Sequence, residues 1–332
     1  MWKSRIGRLA RVIGTLGLIG FVCYQAGIFT RDGVERFASL WATVNWSLVA
    51  LSIAVAFLQN LVSVLKWRVA VLAKGLYGPV GRLLEYVYVG RLYNLILPTS
   101  MGGDVIRVYR LGRLNDNMER GAASVFVDRF TGMLLLLVLA GVSVMVSFRG
   151  SSSLFVLSLL FVFAVSVVLG WGAVDARFAR MLKRFAAWLD NPLLAKIADK
   201  FDAFQASIRE LRGNNRFLAG ILLYSALFYA FAVLNVWTSA LAFDRGVGLL
   251  DMLIAVPLIM LVMNLPVSIG GLGLMEASYT VGFELLGYSA ELGLATALLM
   301  RAKTLIDALV GGILELVASL RRPQAGPQGR QS

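Results

Sequence analysis

Long uninterrupted apolar blocks constrain this chain more than any other feature of its sequence. Three of them run from Met133 to Val146, from Leu154 to Gly170 and from Ala219 to Ala242. A helix of about 20 apolar residues crosses the hydrocarbon core of a bilayer, whereas the amphipathic helices of soluble proteins carry a polar stripe. Charged residues make up only 15% of the chain, compared with about 25% in soluble domains. The sequence therefore predicts an all-α polytopic membrane protein.

The composition also excludes several kinds of chemistry. The chain contains no histidine and a single cysteine, Cys23. Disulfide frameworks, His- or Cys-based metal sites and histidine acid–base catalysis are thereby excluded, and we expect neither a metal nor a cofactor. The net charge of +13 is concentrated between the apolar blocks, which indicates orientation in a membrane rather than nucleic-acid binding.

The basic residues predict the topology, because basic loops stay on the cytoplasmic side. The N-terminus is basic up to Arg11 and the last apolar block is followed by Arg321 and Arg322, so both termini are predicted to be cytoplasmic. A short outer loop is expected after the first span. Residues 176–216 are predicted to form amphipathic helices, either on the inner leaflet or packed on the other helices. Six full spans are expected, at about 10–29, 46–66, 122–148, 152–174, 217–243 and 290–319.

Two further apolar segments, 82–112 and 249–287, are interrupted by proline and glycine. The predicted topology requires each segment to begin and end on one side of the membrane. We therefore predict two re-entrant broken hairpins that enter from opposite faces, with full crossings as the alternative.

The two interrupted segments share a motif. Pro98 to Gly103 matches Pro266 to Gly271 as P-x-S-x-G-G, and an asparagine precedes each copy. Upstream, Val64-Leu65-Lys66-Trp67 resembles Val233-Leu234-Asn235-Val236-Trp237, and downstream Arg129 corresponds to Arg301. Three spans separate the copies, so the sequence predicts an inverted repeat. The chain is predicted to form one membrane domain, 1–332. Its predicted parts are a first half (45–148), a linking region (149–216), an inverted second half (217–320) and a polar tail (321–332).

The breaks are suited to an anionic head group. A helix that restarts after Pro and Gly-Gly presents free N–H donors and the positive end of its dipole. Charges inside membrane spans are costly and mark function, and arginine binds phosphate in a bidentate manner. Arg107, Arg129 and Arg301 are the predicted phosphate ligands, with Asp104 or Glu276 as a proton or counter-charge site. The full set of candidate substrate-binding residues is Asn94, Pro98, Ser100, Gly102, Gly103, Asp104, Arg107, Asp128, Arg129, Asn264, Pro266, Ser268, Gly270, Gly271, Glu276, Arg301 and Lys303.

Several of these charges also have a structural interpretation. Asp128 with Arg129, and Lys303 with Asp307 at i,i+4 spacing, could form ion pairs that only stabilise the fold. Three further arginines are predicted to be ordinary charges of a cytoplasmic loop; they are Arg110, Arg113 and Arg120.

At these motifs the chain resembles the lysylphosphatidylglycerol synthase transmembrane, or flippase-like, family over about 45–318. The likeness rests on Asn94 to Arg107, Ala123 to Arg129, and Asn264 to Glu276. The resemblance implies a bacterial inner-membrane protein that handles lipids. Members that aminoacylate phosphatidylglycerol carry a further soluble transferase domain after the membrane region. This chain ends at Ser332, so we do not expect that activity.

Three functions follow as hypotheses. The first is translocation of an anionic phospholipid or lipid-linked phosphate between leaflets, with the head group bound at the two hairpins. The second is a membrane-embedded lipid transferase, and the third is a non-catalytic partner of a lipid or glycolipid synthase.

Overall fold

The structure, a computed structural model, describes residues 30–96, 102–147, 215–264 and 271–321, together with the single positions 20, 24 and 184. All regular elements in these ranges are α-helices, in agreement with the predicted fold class. The predicted spans 10–29 and 152–174 and the amphipathic segment 176–216 lie outside the described ranges. The helices are α1 (Arg31–Ala42), α2 (Trp46–Ala73), α3 (Val80–Ile96), α4 (Gly102–Leu114), α5 (Met118–Ser147), α6 (Asn215–Leu241), α7 (Leu249–Met263), α8 (Leu274–Glu284) and α9 (Ala290–Arg321).

Three of these helices, α2, α5 and α6, are long and apolar enough to cross a membrane. They coincide with three of the predicted spans. Helix α9 coincides with the predicted last span and is the longest, with 32 residues, but several charged side chains interrupt its apolar surface. The apolar helices confirm the prediction of a membrane protein.

Helices α3 and α4 form an antiparallel hairpin. The end of α3 lies beside the start of α4, where the Gly103 N–H donates to Asn94 Oδ1 at 2.6 Å. Nearer the other end, Arg110 of α4 contacts Glu85 of α3 at 2.9 Å. The sequence located this break correctly, because α3 ends at Ile96 and α4 begins at Gly102.

Helices α7 and α8 form the corresponding hairpin of the second half. The Tyr288 hydroxyl, just after α8, donates to Asp251 at the start of α7 at 2.5 Å. It also accepts from the Gly248 N–H at 2.9 Å. Helices of 17 and 15 residues, α3 and α7, are about 26 and 23 Å long, which is less than the ~30 Å hydrocarbon core.

Corresponding helices of the two halves make corresponding packing contacts. Helix α2 packs along α6, α4 packs on α5, and α8 packs on α9. Each hairpin also crosses to the other half, since α3 packs on α9 and α7 packs on α5. The α3–α9 crossing is very close, because a Cβ added at Gly311 would lie 2.1 Å from the Tyr88 carbonyl oxygen. The first hairpin is therefore positioned by a helix of the second half.

Helix α1 replaces the short outer loop that the sequence predicted. Phe37, Leu40 and Trp41 on one side of α1 pack against the apolar core of the second half. Arg36 lies 3.1 Å from Glu291 at the start of α9. The prediction was wrong because the four charges of this segment suggested a solvated loop, whereas they lie opposite an apolar side that the second half buries.

Helix α2 begins with a side-chain cap that provides a stability test. Asn45 Oδ1 accepts from the N–H groups of Ser47 and Leu48 at 3.1 and 3.2 Å. Replacing Asn45 with alanine is expected to lower the free energy of unfolding by about 1 kcal/mol, measured by reversible unfolding in mixed micelles. Ser47→Ala is the control, since it keeps the backbone donor, and an equal loss in both variants would contradict the capping role.

Candidate functional site

Five charged residues of the first half form one cluster where α2, α4 and α5 meet: Lys66, Asp104, Arg107, Asp128 and Arg129. Arg129 donates to both oxygens of Asp104, with Nε–Oδ2 at 2.9 Å and Nη2–Oδ1 at 3.0 Å. Arg107 bridges the two acids, with Nη2 at 2.7 Å from Asp128 and Nη1 at 3.3 Å from Asp104. Lys66 Nζ lies 3.4 Å from the Asp128 carboxylate and donates to its backbone carbonyl at 2.7 Å.

This first-half cluster is mostly buried and carries an excess of positive charge. The side chains of Lys66, Arg107 and Asp128 are at most 10% exposed, whereas that of Arg129 is 54% exposed. Three cations face two carboxylates, so the cluster has a net charge of +1. Arg107 Nε is buried and has no hydrogen-bond partner among the described residues. A donor without an acceptor and an uncompensated positive charge both favour binding of an anion.

The guanidinium of Arg107 is held by an aromatic platform. Its Cζ lies 4.0 Å from the ring centroid of Trp67, a cation–π contact. The Trp67 N–H in turn donates to Ser124 Oγ at 3.3 Å. The arginine is therefore pre-oriented by α2 and α5 before any ligand binds.

The second half contains a smaller cluster at the start of α8. Arg301 of α9 contacts both oxygens of Glu276, and its Nη2 donates to the Gly271 carbonyl at 2.9 Å. Glu276 also accepts from the Gly273 N–H at 2.9 Å and so caps α8. Gly271 and Gly273 have φ angles of +71° and +75°, which favour glycine. Glu276 therefore links the helix cap to the arginine.

The two clusters repeat one ion pair. Asp104 is the third residue of α4 and Glu276 is the third residue of α8. Their partners, Arg129 and Arg301, are each the twelfth residue of the following long helix. The acid and the arginine are 25 residues apart in both halves. The sequence had matched the two arginines, and the structure adds the matched acids.

The alternative in which neighbouring charges pair locally is not what the structure shows. Asp128 binds Arg107 and Lys66, while Arg129 binds Asp104. Lys303 donates to Asn235 Oδ1 and to Ser239 Oγ, the latter at 2.7 Å. Asp307 instead accepts from Arg91 of α3 and from Asn60 of α2. Asp128, Arg129, Lys303 and Asp307 therefore pair with side chains of other helices rather than with each other.

Two predicted ligands serve the hairpins themselves. Asn94 accepts the Gly103 N–H, and a Cβ at Gly103 would lie 2.5 Å from the Gly90 carbonyl oxygen. Asn264 donates to the Met260 carbonyl of its own helix at 2.8 Å. The N–H groups of Gly103 and Gly273 are therefore engaged within the protein, contrary to the expectation of free donors. Gly102 is buried at the start of α4, and the predicted site residues Pro98, Ser100, Pro266, Ser268 and Gly270 lie outside the described ranges.

Two contacts between the first hairpin and α9 were not predicted from the sequence. Arg91 contacts Asp307. Arg110, predicted to be a loop charge, is 15% exposed and contacts both Glu85 and Glu315. Opposite charges within the apolar segments could have suggested ion pairs, but the partners are up to 216 residues apart in the sequence. Arg113 is exposed and bonds Tyr109 on its own helix, as expected of a surface charge.

Helices that can span a membrane, with a carboxylate–arginine pair in each half, define a helical membrane protein with charged groups in its interior. In the described ranges no group of three or more Asp, Glu, Cys or His side chains is arranged to hold a metal ion.

The chain belongs to the family of the lysylphosphatidylglycerol synthase TM region, whose sequence model matches residues 8–311. It is also similar to a "UPF0104 membrane protein" of Methanothermobacter thermautotrophicus, with 22% identity over 311 residues, 89% of this chain and 90% of that protein. No solved structure matches the chain. The family resemblance predicted from the motifs is thus confirmed.

Proposed function

We propose that this protein moves an anionic phospholipid or a lipid-linked phosphate between the leaflets of the bacterial inner membrane. The observation that carries the proposal is the carboxylate–arginine pair that occurs at the start of both post-break helices. Ionic groups inside membrane segments are costly and are retained where they serve a substrate or ion pathway.

A lipid phosphate can replace a carboxylate on arginine. Both anions accept two parallel hydrogen bonds from the planar guanidinium. Arg129 is half exposed and is therefore the first group that a head group would meet. Arg107 Nε is buried and has no partner in the described ranges, so it can donate to a head group that has passed Arg129. Asp104, which binds both arginines, is the counter-charge that the phosphate displaces.

The repeated architecture supports one such site for each leaflet. We propose that both hairpins are re-entrant and enter from opposite faces, since α3 and α7 are shorter than the hydrocarbon core. Head groups would bind at the first-half cluster on one side and at the Arg301–Glu276 pair on the other. The acyl tails remain in the bilayer while the two halves rock against each other. In this arrangement both termini are cytoplasmic.

The arginine at the accessible edge provides the direct test. Arg129→Gln is expected to lower the transport rate of anionic lipid by at least about tenfold, equivalent to 1.4 kcal/mol in the barrier. The loss follows because glutamine removes the charge and the bidentate contact. The measurement is translocation in proteoliposomes of phosphatidylglycerol, undecaprenyl phosphate and a neutral lipid. Arg113→Gln is the matched control, because Arg113 is exposed and contacts only a tyrosine of its own helix among the described residues.

The possible outcomes separate the hypotheses. Arginine-dependent movement of an anionic lipid, with the neutral lipid unmoved, supports a translocator and identifies its substrate. Equal lipid transport rates in Arg129→Gln and Arg113→Gln would contradict the assignment of Arg129 to the binding site. If folded native protein moves no lipid, the proposal is wrong and an embedded transferase or a synthase partner takes its place.

A further inference from the structure

The two halves differ in the side chain that faces a buried lysine. Lys66 of α2 corresponds in the sequence repeat to Asn235 of α6. In the first half the lysine faces the Asp128 carboxylate of α5 at 3.4 Å. In the second half the lysine is Lys303 on α9, and the side chain that faces it from α6 is the neutral amide of Asn235. The α2–α5 contact of the first half therefore pairs a lysine with a carboxylate, whereas the α6–α9 contact of the second half pairs a lysine, now carried by the long last helix, with an amide.

The surroundings of Lys303 form a fixed and buried site. Lys303 is 5% exposed, Asn235 is 4% exposed and Ser239 is fully buried. Asn235 Nδ2 donates to Gln59 of α2 at 2.9 Å, which turns its Oδ1 towards the lysine. Ser239 donates to the Asn235 backbone carbonyl, which leaves its oxygen as an acceptor for Lys303.

Both protonation states of a lysine fit this site. An ammonium group has three N–H donors, and two hydrogen bonds from Lys303 are formed within the described residues. A neutral amine retains two N–H donors, so release of the proton breaks neither bond. A buried charge whose partners are neutral is otherwise costly, and Lys303 can remove that cost by releasing its proton.

The charged groups around α9 already have partners. From α3, Arg91 binds Asp307, and from α8, Glu276 binds Arg301. The pairs Glu291–Arg36 and Glu315–Arg110 lie farther from Lys303 along α9. The three carboxylates of α9 and Glu276 of α8 each contact an arginine, in the pairs Asp307–Arg91, Glu276–Arg301, Glu315–Arg110 and Glu291–Arg36. Asp307, one turn along α9 from Lys303, also attracts the lysine electrostatically.

We propose that Lys303 is a proton-binding site that takes up and releases one proton in each transport cycle, which couples lipid movement to the proton gradient. The inference rests on the proposed function. The proton passes from water on one side to Nζ and then to water on the other side, and no covalent bond of the lipid changes. This assignment differs from Asp104 and Glu276, the proton sites considered from the sequence, because arginines already hold both acids.

The test compares leaflet distributions with and without a proton gradient. Proteoliposomes hold a trace of labelled phosphatidylglycerol or undecaprenyl phosphate, and valinomycin with potassium clamps the membrane potential. One pH unit is a tenfold difference in proton activity. We therefore expect the native protein to shift the leaflet ratio by up to about tenfold per unit, and Lys303→Met to show no shift. Lys74→Met is the control, because Lys74 is equally buried, at 5% exposure, at the end of α2 and outside both clusters.

Each outcome is decisive. If native protein moves lipid but ignores the gradient, or if Lys303→Met still responds to it, Lys303 is not the coupling site while the translocator remains. If native protein moves no lipid, the proposed function and the coupling fall together. A second measurement does not depend on transport. The difference in melting temperature between the native protein and Lys303→Met should change between about pH 5 and pH 9. A constant difference for Lys303→Met would also overturn the proposal.

Discussion

Replacing Asp128 with asparagine is expected to lower the free energy of unfolding by about 3–5 kcal/mol, the usual loss when one partner of a buried ion pair is removed. Asp128 accepts from Arg107 at 2.7 Å and lies 3.4 Å from Lys66 Nζ. Its neutralisation leaves two buried cations beside each other. The measurement is reversible unfolding in mixed micelles. Asp32→Asn is the control, because Asp32 is an exposed acid in the first turn of α1, and we expect a change within about 0.5 kcal/mol.

A double variant tests the physical reason for this loss. If repulsion between the remaining cations causes it, adding Lys66→Met to Asp128→Asn should recover part of the stability, because one of the two cations that contact the residue 128 side chain is then removed. The measured coupling between the two sites should be of the order of 0.5–3 kcal/mol. Strict additivity of the two single losses would show that Lys66 and Asp128 do not interact.

Replacing Gly311 with alanine is expected to cost about 1–3 kcal/mol, as overpacking of a close interface does. The new Cβ would lie 2.1 Å from the Tyr88 carbonyl oxygen and 2.6 Å from its carbonyl carbon, so α3 and α9 must separate. The same displacement would move Arg91 away from Asp307 and shift the first hairpin. We therefore expect lipid transport to fall together with stability.

The adjacent glycine is a matched control for this substitution. Among the described residues, a Cβ at Gly312 would approach only the Leu92 side chain, at 3.9 Å, an ordinary contact. Gly312→Ala should stabilise the helix by about 0.5–1 kcal/mol, because alanine loses less conformational entropy than glycine. Equal effects of the two substitutions would show that the α3–α9 contact is not as close as the structure has it.

The helices were predictable from the sequence for a simple reason. A membrane helix satisfies its backbone hydrogen bonds within its own segment, so apolar blocks and proline breaks suffice to locate it. The spans of α2, α5 and α6 and the break between Ile96 and Gly102 were predicted in this way. The motif repeat likewise identified Arg129 and Arg301 as equivalent, because both follow a matched break at a similar distance.

The pairing of the charges was decided only by the tertiary structure. Sequence spacing suggested Lys303 with Asp307, but helix packing brings Asn235 to the lysine and Arg91 to the acid. The sequence placed Arg110 in a loop, yet the α3–α4 hairpin and α9 enclose it with two glutamates. Side-chain partners in a membrane interior depend on which helix faces meet, and those faces belong to segments far apart in the chain. The sequence alone thus determined where the helices and the arginines lie, whereas helix packing, both within each half and between the halves, determined which acid faces each arginine and that the hydrogen-bond partners of Lys303 are an amide and a hydroxyl.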